Sequence, residues 1–194
     1  MGGFDAIVLA GGSARRLGGV DKPALHVGGR SILDRVLDAV SEAVRIVLVA
    51  PPQPPRGDVT VVCEKPPGGG PVPALRAGMA ELAAPTAAEL VVVVAGDLPF
   101  LTPAVVAALC AAADSVLVDP DGREQWLAGA WHSTRLRQRL TRYDGSTLHG
   151  LLGSLGPQRV TGQGDAWRDV DTAAELAVAR ALADGVAEGG TLRG

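Results

Sequence analysis

The residues from Leu9 to Lys22, Leu-Ala-Gly-Gly-Ser-Ala-Arg-Arg-Leu-Gly-Gly-Val-Asp-Lys, carry the first chemical signal of the chain and directly follow a short apolar run. Gly11, Gly12, Gly18 and Gly19 let a backbone approach a ligand closely and adopt positive φ. Amide N–H groups in such a loop can surround phosphate oxygens. Arg16 and Lys22 add cations, one a fork that fits phosphate, the other a mobile point charge. The string lacks the Gly-Lys-Ser/Thr of a Walker A loop and the G-x-G-x-x-G of a dinucleotide fingerprint. A glycine-rich turn with surface cations is the plain alternative. Position after a strand, glycines and cations together favour a triphosphate held by this loop.

Carboxylates supply the second signal. Asp97, in Gly96-Asp97-Leu98-Pro99-Phe100, follows the most apolar run of the chain. A carboxylate at the end of a buried strand, beside a phosphate loop, is placed to hold Mg²⁺. A turn residue is the competing reading. Asp169 and Asp171 share one side of a short extended segment. They precede Thr172-Ala173-Ala174-Glu175, a capping box, so the pair serves a metal or the helix cap. Glu64 follows another strand and leads into the Gly/Pro-rich stretch Pro66-Pro67-Gly68-Gly69-Gly70-Pro71. Trp126 and Trp131 lie on a turn-and-strand segment and either stack on a ring or fill the core, with core favoured for Trp131. Arg135, Arg139 and Arg142 share one helical face, read as solvated, with a basic rim as the alternative. His149 is a lone histidine with no ligand spacing around it.

The elements that must position these groups follow from the apolar pattern. Residues 6–9, 45–50, 59–63, 90–95 and 115–119 read as strands, mostly apolar without alternation, as in a parallel sheet covered on both faces. Helices are expected over residues 31–44, 103–113 and 172–183. Ser31 with Asp34, and Thr102 before Pro103, mark two of their starts. Leu33, Val36, Leu37 and Val40 give the first helix its apolar face. Strands alternating with helices mean an α/β fold with a mainly parallel sheet. Such sheets bind ligands beyond the carboxyl ends of their strands. Residues 1–184 read as one domain, its first half nucleotide-binding and residues 120–172 the acceptor side, and residues 185–194 as a frayed tail.

Here the chain resembles the MobA family of molybdenum cofactor guanylyltransferases. The first loop is similar to their L-A-G-G-x-x-x-R-[ML]-G-x-D-K signature, and a broader form is shared by many nucleotidyltransferases. The resemblance runs from Ala6 to Leu176. It implies a three-layer, Rossmann-like nucleotidyltransferase fold. It implies that Leu9, Ala10 and Gly11 contact the nucleotide, that Lys22 steadies the triphosphate, and that Asp97, within a D-x-P-[FY] motif, binds Mg²⁺; Gly12 and Arg16 of the same loop are read as further nucleotide and phosphate contacts. The stretch from Gln125 to Trp131 and the segment Asp169–Thr172 resemble the family's pterin side. The implied reaction joins GMP from GTP to molybdopterin and releases pyrophosphate, with molybdoenzymes or cofactor-delivery proteins as further partners.

The chain also departs from that pattern. Gly70-Pro71-Val72-Pro73-Ala74-Leu75 matches the family's G-P-L-A-G-[LM] only in part. Glu64 or Lys65 stands where the family carries a nucleotide-contacting Asp. Val49 lies near the place where some members have Asn, Trp126 replaces a Pro, and Asp stands at 169 and 171 where many members have Asn. A cytidylyltransferase, a transferase acting on another phosphorylated acceptor, and a non-catalytic nucleotide-binding module therefore remain as alternatives.

Composition excludes several other classes. A net charge of −3 argues against bulk nucleic-acid binding. The longest apolar run is too short to span a bilayer. The start has no signal-peptide pattern, so a cytoplasmic location is expected. Cys63 and Cys110 sit far apart in apolar surroundings, without zinc or dithiol spacing, and read as reduced core residues.

Overall fold

The computed structural model describes residues 3–11, 25–54, 56–82 and 88–189. Gly12, Arg16 and Lys22 therefore lie outside the described residues. Nine strands and six helices are present among those described: β1 (Phe4–Leu9), β2 (His26–Val27), β3 (Arg30–Ser31), α1 (Ile32–Ala39), β4 (Ile46–Val49), β5 (Val59–Val62), α2 (Pro71–Glu81), β6 (Leu90–Ala95), α3 (Pro103–Ala111), β7 (Ser115–Val118), β8 (Glu124–His132), α4 (Ser133–Arg142), α5 (Leu148–Leu152), β9 (Gln158–Val160) and α6 (Ala173–Gly189). Seven strands form one sheet in the order β5-β4-β1-β6-β8-β7-β9. Only β8 runs against its neighbours. β2 and β3 make a separate hairpin.

The apolar runs form strands because both their faces are covered. On β1, Ala6 and Val8 point towards α1 and α3, where Leu33, Val36, Val105 and Leu109 complete one core. Ile7 and Leu9 point the other way, towards α2, α4 and α5, and pack with Leu75, Met79, Leu136 and Leu151. Helix, sheet and helix therefore make the three layers expected. α2 comes so close to β1 that a Cβ at Gly78 would stand 2.7 Å from Ile7 Cγ2. α6 serves a third, smaller core and packs Leu176 and Ala179 with Val27 of the hairpin and Ile32 at the start of α1.

Caps read from the sequence are present. Ser31 Oγ accepts from the Asp34 amide at 3.1 Å, and Thr102 Oγ1 from Val105 at 3.3 Å. Boundaries differ in two places. α1 stops at Ala39 because the chain turns there and Val44 donates its N–H to the carbonyl of Phe4, entering β4. α6 runs on to Gly189, past the residue 185 at which fraying was expected. Two strands, β1 and β6, flank the point where the strand order reverses, and their carboxyl ends open on the same side of the sheet. No helix among the described residues is long and apolar enough to cross a membrane.

Candidate active site

Beyond β1 and β6 the backbone forms a narrow junction. Ala10 donates to the carbonyl of Val49, and Gly96 to that of Leu9, both at 2.9 Å. A Cβ at Gly96 would stand 2.7 Å from that of Ala10, so only glycine lets the two strand ends come this close. Asp97 follows at once, half-buried. A first cleft opens here, of about 290 Å³, lined by Leu9, Ala10, Gly11, Gly96 and Asp97 on the sheet side. Gly70, Pro71 and Ala74, at the start of α2, form its opposite wall.

That helix start is unusual. Gly70 takes φ 96° as N-cap, and no side chain caps the helix. Pro71 and Pro73 carry no N–H, so Val72 supplies the only backbone donor among the first three helical positions. The partial motif match seen in the sequence thus has a physical meaning: a proline stands where an amide could have faced a phosphate.

A second cleft adjoins the first. Ala95, Asp97, Leu127 and Asp171 line both. The far wall of the second consists of Gln125, Trp126, Trp167 and Asp169. A register break in the sheet turns β8 into this wall. Val116 pairs with Gly129 but Leu117 with Gln125, which leaves Trp126, Leu127 and Ala128 without partners on β7. Bulges of this kind re-aim side chains beside ligand sites. The carboxylate segment is tied in by the Val170 N–H, which donates to the carbonyl of Asp97 at 3.1 Å.

The structure brings most of the sequence-expected groups together. Leu9, Ala10, Gly11, Asp97 and Asp171 border the first cleft, and Asp97, Asp169 and Asp171 the second. Glu64 stands apart from the walls. It is 5% exposed, accepts the Gly68 N–H at 2.9 Å, and lies behind Gly11, whose Cβ, if present, would be 3.8 Å from its carboxylate. The helix cap belongs to Thr172 and Glu175: the Glu175 carboxylate accepts the amides of Asp171 and Thr172 at 2.8 and 2.7 Å, and Thr172 Oγ1 accepts that of Glu175. Among the described residues no three His, Cys, Asp or Glu side chains are grouped as a metal cage.

Other residues change their reading. Trp131 is fully buried, as its core assignment expected. Trp126 meets His149 edge-on, ring centroids 5.4 Å apart. On α4, Arg142 is exposed, as the solvated reading expected, while Arg135, Arg137 and Arg139 also reach specific partners. Arg135 pairs with Asp114, Arg137 donates to the carbonyls of Met79 and Leu82, and Arg139 donates to Ser154 and the Gly150 carbonyl. The carbonyls that Arg137 and Arg139 hold lie at the end of α2 and in α5, and none of these three arginines lines either cleft. Trp167 was not singled out by its sequence context, a lone aromatic in a polar loop without a motif around it.

Relatives place this architecture. A nucleotidyl transferase from Methanothermobacter superposes with a TM-score of 0.74 at 19% identity, covering 94% of this chain and 98% of its own. A molybdenum cofactor guanylyltransferase of Bradyrhizobium is 37% identical over 69% of this chain and 68% of its own length. One of Acidiphilium cryptum is 34% identical over 81% of this chain and 76% of its own. The MobA-like NTP transferase domain matches residues 6–160, and the chain belongs to that family.

Proposed function

We propose that this protein transfers GMP from GTP to the phosphate of molybdopterin, giving molybdopterin guanine dinucleotide and pyrophosphate. The observation that carries the reading is the pair of clefts meeting at Asp97 and Asp171. A transfer between two substrates needs two sites that share the reacting centre, and Leu9, Ala10 and Gly11 border only the first cleft. The family and the names of its relatives supply GTP and molybdopterin as the pair.

In this reading a phosphate oxygen of molybdopterin attacks the α-phosphorus of GTP. The bond from that phosphorus to the bridging oxygen breaks, and its electron pair leaves with pyrophosphate. The nucleophile is already ionised at neutral pH, so no protein base is required. Leu9, Ala10, Gly11 and Gly12 carry the nucleotide. Arg16 and Lys22 neutralise the leaving pyrophosphate. Asp97 holds Mg²⁺, which when bound supplies charge neutralisation at the phosphate oxygens. Asp169 and Asp171 border the acceptor. Glu64, behind Gly11, sets the shape of the base side. Catalysis then rests on positioning and electrostatics. A cytoplasmic location, with hand-over of the product to a molybdoenzyme or delivery protein, completes the assignment.

The test is Mg²⁺-dependent pyrophosphate release with molybdopterin and each of GTP, CTP, ATP and UTP in competition. GTP is expected to win. Asp97→Asn is expected to lose roughly 10²–10³ in kcat/KM, the scale for removing one preorganised charge interaction. No release with any triphosphate refutes the reading, and a preference for CTP refutes its guanine half.

A further inference from the structure

We infer that Trp167 is a specificity-determining residue of the second cleft, the platform on which a planar, amino-bearing heterocycle of the acceptor stacks. The inference deepens the proposed function and rests on it.

The argument begins with what the cleft offers. Its far wall joins two indoles, Trp126 and Trp167, to the amide of Gln125 and to carboxylates. Aromatic faces take flat rings, and oxygen acceptors at their edges take ring N–H and amino groups. Gln125 is already oriented, since its Nε2 donates to Asp119 Oδ2 at 3.1 Å. Its Oε1 makes no hydrogen bond among the described residues and can accept from a ligand edge.

Of the two indoles, Trp126 is engaged edge-on by His149 and packs on the core beneath α2. Trp167 is the better platform. The Arg168 guanidinium covers its ring at 4.5 Å and is itself held by Asp165. The turn that carries it is pinned by Ala166 N–H to Gln163 and Arg168 N–H to Asp165. Ala166 and Val170, on either side, are each 1% exposed. The ring is thus fixed before any ligand arrives, which limits the ordering entropy of binding.

The indole packs in part against the core that α1 and α3 share with the sheet. Its half-buried ring also lines both the second cleft and a neighbouring trough beside Arg159 and Gln163, and so stands between them. It therefore limits how far a ring bound next to Asp97 can extend.

The experiment measures steady-state transfer with GTP and molybdopterin varied separately, in wild type, Trp167→Ala and Trp167→Phe. Stacking on an aromatic is worth about 1–3 kcal/mol by alanine substitution. Trp167→Ala is expected to raise the KM for molybdopterin roughly 10- to 100-fold and to leave the KM for GTP within about twofold. Trp167→Phe, which keeps a flat ring, is expected to restore the KM for molybdopterin to within a few-fold. Tryptophan fluorescence gives a binding readout independent of turnover. Quenching by molybdopterin is expected in wild type and in Trp126→Phe, and to be largely lost in Trp167→Phe.

If quenching persists in Trp167→Phe and the KM for molybdopterin is unmoved in Trp167→Ala, the inference is wrong, while transfer by the wild type keeps the functional reading intact. If Trp167→Ala raises both KM values alike, the residue is structural and the inference is wrong again. If the wild type transfers nothing to molybdopterin, the functional reading fails and this inference with it.

Discussion

Replacing Gly96 by alanine tests the junction where the nucleotide loop meets the carboxylate strand. The added methyl would stand 2.7 Å from Ala10 Cβ and 3.2 Å from Ala10 Cα, against an ordinary contact of 3.4 Å or more. Ala10 has no side chain that can rotate away, so the strand ends must part by about 0.7 Å, the gap between those contacts. Overpacking of this kind costs about 1–3 kcal/mol. At this chain length each kcal/mol lowers Tm by roughly 2–4 °C. The larger effect is expected on turnover. The displacement moves Leu9, Ala10 and Gly11 relative to Asp97, and a misplacement of about 1 Å can cost 10²-fold.

Gly96→Ala should therefore lose roughly 10- to 100-fold in kcat/KM for GTP, by the same scaling, while still folding cooperatively. Gly78→Ala is the control. Its methyl would also meet a neighbour at 2.7 Å, but that neighbour is the Ile7 side chain inside the core. Gly78→Ala should lower Tm comparably and change kcat/KM by no more than about threefold, since the clash lies away from the cleft walls. Thermal unfolding and initial-rate pyrophosphate release on both variants decide the matter. If Gly96→Ala loses stability but keeps wild-type kcat/KM, the loop and Asp97 are not a rigid pair and the reasoning fails.

Two further outcomes concern titrating groups. Burial pushes the Cys110 thiol up from 9.0 to about 11. Its alkylation by iodoacetamide in the native protein should keep rising with pH to about 11, and a plateau near 9 would contradict the burial. The Ser31 hydroxyl, and then the Arg56 guanidinium, hold the Asp34 carboxyl below its ordinary value. A depressed carboxyl stabilises the fold above its unfolded pKa, and that stability is lost as pH falls through the folded value. Asp34→Asn should thus be destabilised at neutral pH, by under about 1 kcal/mol because the group is largely exposed. The difference should close as the wild type is acidified below that range, and an unchanged gap in urea unfolding at low pH would refute the assignment.

Much of the scaffold was legible because local chemistry and tertiary demand agreed. Runs such as Val91 to Val94 have no polar face, so they could only be strands covered on both sides. Ser31, Thr102 and Thr172 announced helices through their own hydroxyls. The place of Asp97 at the mouth of both clefts was legible because it directly follows the most apolar strand, whereas its position alone fitted a turn residue equally well. The second cleft was harder to read. The reversal of β8 and its register break depend on pairing between residues far apart in sequence, which no local pattern encodes. Short strands such as β9, with exposed or half-buried residues, carry almost no hydrophobic signal. The partners of Arg137 and Arg139 were illegible because most are backbone carbonyls of α2 and α5, invisible to residue type.

The small core under α6 bears on how the molecule is made. Arg180 donates to the carbonyl of His26, 154 residues earlier in the chain, and Val170 to that of Asp97. Contacts of such separation close late, after the shorter loops have formed. A nascent chain ending at β9 holds every described strand of the main sheet yet lacks Trp167, Asp169, Asp171 and the helix that packs on the β2–β3 hairpin. On the ribosome the sheet side of the first cleft can take shape while Asp171 and much of the second cleft's far wall are still missing, so both clefts are complete only when the segment before the final helix docks.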